Sequence, residues 1–151
     1  MIVVFQRLMV LITCFLLGAC GDQDEPFEHV LEIGAPVGTL KYDTVAFRVS
    51  PGRNVKLTLS NDDEQPHNWV LCAGGRDGMV AVVEAALKLG SKAIEAQFIP
   101  EHANVLIASK LLAKGERQEL AFRAPKKAGD YHYVCTFPGH AAVMRGVMTV
   151  K

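Results

Sequence analysis

The chain has no surplus of either charge, no apolar run long enough to cross a bilayer, and too few cysteines for a disulfide framework. Sixteen basic residues stand against sixteen acidic ones, a formal net charge of zero. A nucleic-acid binder advertises itself by a basic excess, and none is present. The apolar stretch Leu8–Leu17 is shorter than the roughly 20 residues that span hydrocarbon. The cysteines are four, at Cys14, Cys20, Cys72 and Cys135, with no CxxC pair and no methionine-rich segment.

What is present at the N-terminus reads as export. Residues 1–19 carry a single charge, Arg7, ahead of an apolar segment of signal-peptide length. The segment ends in Leu17-Gly18-Ala19-Cys20, which matches a bacterial lipobox, so Cys20 is expected to be lipidated and to begin the mature chain. Small residues followed at once by cysteine are unusual for an ordinary cleavage site; simple secretion with a free Cys20 is the alternative. Residues 20–28 then form a short polar, acidic tether, and residues 29–151 form the single domain. Without Arg7, 15 basic residues face 16 acidic ones, a net charge of −1. Cys14 leaves with the signal and Cys20 is acylated, which leaves Cys72 and Cys135. Cys72 is expected to be a buried, inert thiol, with pairing to Cys135 in a metal-free protein as the alternative.

The domain is patterned for strands. Val55–Ser60 and Leu120–Arg123 alternate apolar and polar residues, as a sheet with one buried face requires. His29–Ile33, Val45–Val49, His67–Cys72, Val105–Leu111, Tyr131–Cys135 and Gly146–Lys151 are further candidates, separated by Gly- and Pro-containing turns, which predicts an all-β sandwich. Residues 78–98 break the pattern. Val80, Val83 and Leu87 recur at helical spacing, so a helical flap is expected there, with this stripe as core and partner binding as the alternative. Ser91 is a candidate N-cap for a second short turn.

Chemistry concentrates in Cys135-Thr136-Phe137-Pro138-Gly139-His140-Ala141-Ala142-Val143-Met144. The spacing C-x4-H-x3-M brings together thiolate, imidazole and thioether, soft ligands that suit copper. A second histidine, far upstream in Pro66-His67-Asn68-Trp69-Val70-Leu71, would complete a His2Cys site with a weak axial Met, the ligand set of a blue-copper centre. Singly, these residues read more plainly: His67 as a structural histidine, Cys135 as a buried thiol, Met144 as packing. Their joint occurrence points to one copper. Pro138 fixes φ and Gly139 permits a turn barred to other residues, which restrains the loop. His29, His102 and His132 lack partners at ligand spacing and are taken as surface or sheet-face residues.

From about Glu32 to Lys151 these motifs and the spacing between them resemble the cupredoxins, and within them the azurin and auracyanin group. The resemblance implies an eight-strand Greek-key sandwich with a helical flap and one type 1 copper, carrying single electrons rather than catalysing a reaction. It implies His67, Cys135, His140 and Met144 as ligands, and backbone N–H groups of Asn68 and Phe137 directed at the Cys135 sulfur. The Asn68 side chain would tie the ligand loops, and Trp69 would be a core aromatic. His140 would be the electron port, inside an apolar patch of Phe137, Pro138, Ala141 and Ala142. The implied partners are a cytochrome, a respiratory complex or a photosynthetic complex, reached from a periplasmic or cell-surface position on a lipid anchor.

Two departures from azurin stand out. No cysteine lies between Gly21 and Leu71, so azurin's N-terminal disulfide is absent. Azurin places Gly before its first copper histidine where this chain has Pro66, so the Pro66 carbonyl is expected to stay beyond bonding distance. A copper-trafficking module would favour CxxC or methionine-rich sequence. A copper enzyme would need further coppers and an open coordination position.

Overall fold

The computed structural model describes residues 26–151. The expected export signal, Cys20 and most of the expected tether lie outside the described residues. Eight strands form two sheets packed as a Greek-key sandwich. They are β1 (His29–Ala35), β2 (Ala46–Val49), β3 (Asn54–Asn61), β4 (Val70–Cys72), β5 (Val105–Ala108), β6 (Arg117–Arg123), β7 (Gly129–Val134) and β8 (Arg145–Val150). One sheet has the order β1-β3-β6 and the other β2-β8-β7-β4-β5. The pairs β1–β3 and β2–β8 are parallel; the other pairs are antiparallel. Only β4–β5 and β7–β8 are neighbours both in sequence and in a ladder, so the chain crosses repeatedly between the sheets.

Alternation explains the three-stranded sheet. Val55, Leu57 and Leu59 of β3 are buried, while Lys56 and Thr58 between them are partly exposed. The core between the sheets is led by Trp69, Tyr133, Leu57, Met148 and Val150. Trp69 stacks at 5.4 Å on Tyr133, which packs on Tyr42 and Phe47 at 5.6 and 5.7 Å. Gly146 lies opposite Tyr133 in the β7–β8 ladder, and a Cβ there would come within 2.3 Å of the Tyr133 ring. The strand pair closes because residue 146 has no side chain.

β4 and β7 follow a different rule. Val70, Leu71 and Cys72 are all buried, because both faces of this sheet region are covered. Leu71 faces the main core; Val70, Cys72 and Val134 form a second core with the helix α1 (Gly75–Leu87). An unbroken apolar run is what two-sided burial produces. Among the described residues Cys72 is a free, buried thiol, pushed up to about 12 by burial. It belongs to the core beneath α1 and Cys135 to the core between the sheets, so the two face different layers.

The flap departs from expectation in phase and extent. α1 begins at Gly75 rather than residue 78, and its buried residues are Gly78, Met79, Val82 and Ala86, with Val83 partly buried. Val80 is 43% exposed and Leu87 66% exposed, so two members of the expected stripe face solvent. Both series have helical spacing; the sheet beneath takes the face that carries Met79 and Val82 into one core with Val70, Cys72 and Val134. A 3₁₀ turn, Gly90–Lys92, follows, and Ser91 sits inside it rather than capping it. The expected strand His67–Cys72 is also shorter. His67 makes only an isolated bridge to Leu112, and the Ser109 hydroxyl takes the Trp69 N–H at 2.9 Å.

The helix phase gives a direct test. Met79→Ala is expected to cost about 2–5 kcal/mol in denaturant unfolding, whereas Leu87→Ala should stay within about 0.5 kcal/mol. Equal losses would contradict the observed facing of α1.

Candidate metal centre

The site forms where two loops leave the five-stranded sheet. His67 hangs from its bridge with Leu112, two backbone hydrogen bonds of 3.0 and 2.8 Å. Cys135 is the first residue beyond β7. The loop after it folds back on itself: the His140 N–H reaches the Phe137 carbonyl at 3.1 Å, the Met144 N–H reaches the His140 carbonyl at 2.8 Å, and the Cys135 N–H reaches the Met144 carbonyl at 2.9 Å. Gly139 takes φ +85°, which permits the tight turn. The closure holds Cys135, His140 and Met144 together. All three, with His67, are buried.

Three donor atoms converge. The Cys135 sulfur is 3.9 Å from His67 Nδ1 and 3.7 Å from His140 Nδ1, and the two Nδ1 atoms are 3.1 Å apart. A point equidistant from all three lies about 2.1 Å from each, comparable to metal bonds of about 2.0–2.3 Å to imidazole and thiolate. The outward nitrogens show which lone pairs face inward. His67 Nε2 lies 3.2 Å from the Asp63 carboxylate, which only accepts, so Nε2 carries the proton. His140 Nε2 meets the Gln65 side-chain oxygen at 2.9 Å, an acceptor for a proton on that nitrogen. Both Nδ1 lone pairs then face each other at 3.1 Å with no imidazole proton between them, and only the Cys135 thiol proton is at hand to meet one of them. A cation satisfies that arrangement, and the donor set fits copper.

The electrostatics agree. Burial pushes the Cys135 thiol up to about 11, opposed by hydrogen bonds from the backbone N–H groups of Asn68 and Phe137. A buried thiolate therefore needs a cation as well as these donors. Burial also lowers the pKa of both imidazoles, against the pull of Asp63.

Asn68 joins the two loops. Its side-chain oxygen accepts the Thr136 N–H at 2.8 Å, and its amide donates to the Thr136 hydroxyl at 2.9 Å and the Gln97 carbonyl at 3.0 Å. The Thr136 hydroxyl reaches the Phe98 carbonyl at 2.6 Å, so the flap is fastened to the same junction. Phe98 meets Phe137 edge-on at 5.0 Å, and Phe137 lies 4.8 Å from the His140 ring. Trp69 is buried in the core, and its indole N–H has no hydrogen-bond partner among the described residues. Pro138 and Ala142 are exposed, while Phe137 and Ala141 are partly buried. Val143, 49% exposed, extends this face beyond the residues expected from the sequence. Pro66 is partly exposed at the head of the His67 loop. His29 and His102 accept backbone N–H groups from Ser50 and Asn104, and His132 lines a surface groove with Met79 and Arg145.

Asp63, Gln65 and Phe98 escaped the sequence reading. Asp63 stands four residues before His67 in the polar run Asn61–Gln65, which reads as a surface turn; only the fold shows that it turns inward.

The histidine environment predicts acid sensitivity of the metal-free protein. Both imidazoles stay neutral in the fold at a pH where the unfolded chain is already protonated, so stability should decline as pH falls below about 6.5. Hydrogen bonds from Gly38 and His67 lower the Asp63 pKa, so a second loss follows below about pH 4. Denaturant titrations between pH 8 and 3 check this; equal stability at pH 7.5 and 5.5 would contradict it.

Comparison with known proteins places the chain. A family model described as copper binding proteins, plastocyanin/azurin family, matches residues 29–151. Auracyanin-A of Chloroflexus aurantiacus is 36% identical over 123 residues, covering 80% of this chain and 74% of that protein. Azurin of Pseudomonas aeruginosa is 35% identical over 121 residues, covering 74% and 78%. The dithionite-reduced auracyanin from Roseiflexus castenholzii superposes with a TM-score of 0.75 at 34% identity, covering 83% of this chain and 99% of that one. A buried site with two inward-facing imidazoles and a thiol, on a sandwich shared with these proteins, belongs to a member of the plastocyanin/azurin family of copper-binding proteins.

Proposed function

We propose that His67, Cys135, His140 and Met144 are the ligands through which this protein, an electron carrier and not an enzyme, holds one type 1 copper. The observation that carries the assignment is the convergence of three buried donor atoms within 3.9 Å of one another. Copper bound there supplies a one-electron couple. The residues around it hold their positions. The loop closure from Cys135 to Met144 and the Asn68–Thr136 junction resist rearrangement, which keeps the cost of each electron low. The backbone N–H groups of Asn68 and Phe137 draw charge from the sulfur and favour the reduced state. Met144, buried in the same loop, would hold the copper as a weak fourth ligand through its thioether, and the Pro66 carbonyl would not be needed as a ligand. With those four ligands the copper would have no position left for a substrate.

Redox partners dock on the apolar face of Phe137, Pro138, Ala141, Ala142 and Val143, close to His140. Candidates are a cytochrome, a respiratory complex or a photosynthetic complex. Residues 1–19 export the chain, and lipidation of Cys20 holds the domain, on the tether of residues 20–28, at a periplasmic or cell-surface membrane. The mass of the mature N-terminus distinguishes this from secretion with a free Cys20.

The copper-loaded protein is expected to be intensely coloured, with reversible one-electron redox chemistry, and Cys135→Ser should abolish the colour. Metal content is measured first, since the ligand set also accepts zinc. A colourless wild-type protein full of Cu(II) would overturn the ligand assignment. Ala142→Asp should slow electron transfer to the partner by placing a charge in the contact, with the visible spectrum unchanged. Unaltered transfer would put the docking face elsewhere.

A further inference from the structure

We propose that Asp63 is a positioning residue of the copper site, its buried carboxylate orienting His67 and favouring the oxidised metal. The proposal rests on His67 being a ligand, and it adds a residue outside the ligand motifs. Asp63 is 5% exposed, and its two oxygens have different tasks. Oδ1 accepts the Gly38 N–H at 2.7 Å, and the Asp63 N–H is held by the Asn61 side chain at 2.9 Å. The Asn61 amide in turn donates to the Gln65 and Leu112 carbonyls at 2.8 and 2.9 Å. Leu112 is the residue whose backbone bridges His67. The carboxylate is thus fixed from its own loop, from the Gly38 turn and from the histidine's ladder partner. That leaves Oδ2 facing His67 Nε2 at 3.2 Å.

The chemistry follows from that contact. A carboxylate on the outer nitrogen of a ligand histidine fixes the tautomer and ring plane, and makes the inner nitrogen a stronger donor. Its negative charge lies in a buried region, where it is screened less than at the surface. Both effects favour Cu(II) over Cu(I), the opposite direction to the backbone N–H groups on the sulfur. His140 contrasts with His67: its outer nitrogen meets the neutral Gln65 amide. The two imidazoles are therefore inequivalent, the charge-assisted bond lying on the His67 side.

The test measures Cu(II) and Cu(I) affinities separately, by chelator competition, in wild type and Asp63→Asn. The amide is neutral and meets the Nε2 proton with an oxygen only by surrendering Gly38. Cu(II) affinity is expected to fall by about 10- to 100-fold, Cu(I) affinity by much less, and the reduction potential to rise. Gly38→Ala, strained at φ +70° but retaining the carboxylate, controls for loop damage. Equal losses for both oxidation states, or the same shift in Gly38→Ala, would reduce Asp63 to a loop staple and overturn the proposal. In the diamagnetic Cu(I) wild-type protein, the His67 Nε2 proton should exchange slowly with solvent. A His67 proton on Nδ1 instead would overturn the proposal without any variant. If His67→Gly keeps the native visible spectrum, the ligand assignment itself fails; if that spectrum is lost while Asp63→Asn keeps the affinity ratio, only this inference fails.

Discussion

Asn68 and Thr136 hydrogen-bond to each other in both directions, and the metal centre depends on that junction. His67 and Cys135 lie 68 residues apart, on loops with no covalent reason to meet. A side-chain amide has one acceptor and one donor end, so a single asparagine can satisfy the Thr136 backbone N–H and its hydroxyl together. The junction is buried, where an unmade hydrogen bond costs more than at the surface. The Tyr42 hydroxyl adds a further anchor at the Asn68 carbonyl, 2.6 Å away. The loops are therefore held in register by bonds that are costly to break.

The flap acts at the same point. The carbonyls of Gln97 and Phe98, both residues at positive φ, accept hydrogen bonds from Asn68 and Thr136. Non-glycine residues adopt that conformation at some cost, and two in succession require surrounding structure to hold them. α1 covers the outer face of β4 and β7, and the segment after it brings Phe98 against Phe137. The insertion thus closes a second core and shields one side of the ligand loop.

The site also sorts its protons before any metal arrives. Asp63 and Gln65, two residues apart on one loop, occupy the outward nitrogens of both histidines. Burial keeps the imidazoles neutral and the Cys135 thiol protonated, so metal binding exchanges one proton for one cation. Negative charge enters through Asp63 and is drawn from the sulfur by Asn68 and Phe137. These opposing influences come from the same two loops.

Much of this was legible in the residues themselves. The C-x4-H-x3-M spacing marks three of the four proposed ligands because one short loop carries them, and a loop closing on a metal needs its donors at fixed offsets. The alternation of Val55–Ser60 marks a half-buried strand because side chains on a strand point alternately to its two faces. The facing of α1 was not legible: Val80, Val83 and Leu87 have the same period as Met79, Val82 and Ala86, and only the sheet beneath chooses between them. Asp63 was hidden for a related reason. A carboxylate in a polar run belongs in water unless a distant backbone and an imidazole replace that water, and Gly38 and His67 meet it only after the sandwich has closed. Local spacing determines which donors share a loop; long-range packing decides which polar groups turn inward to serve them.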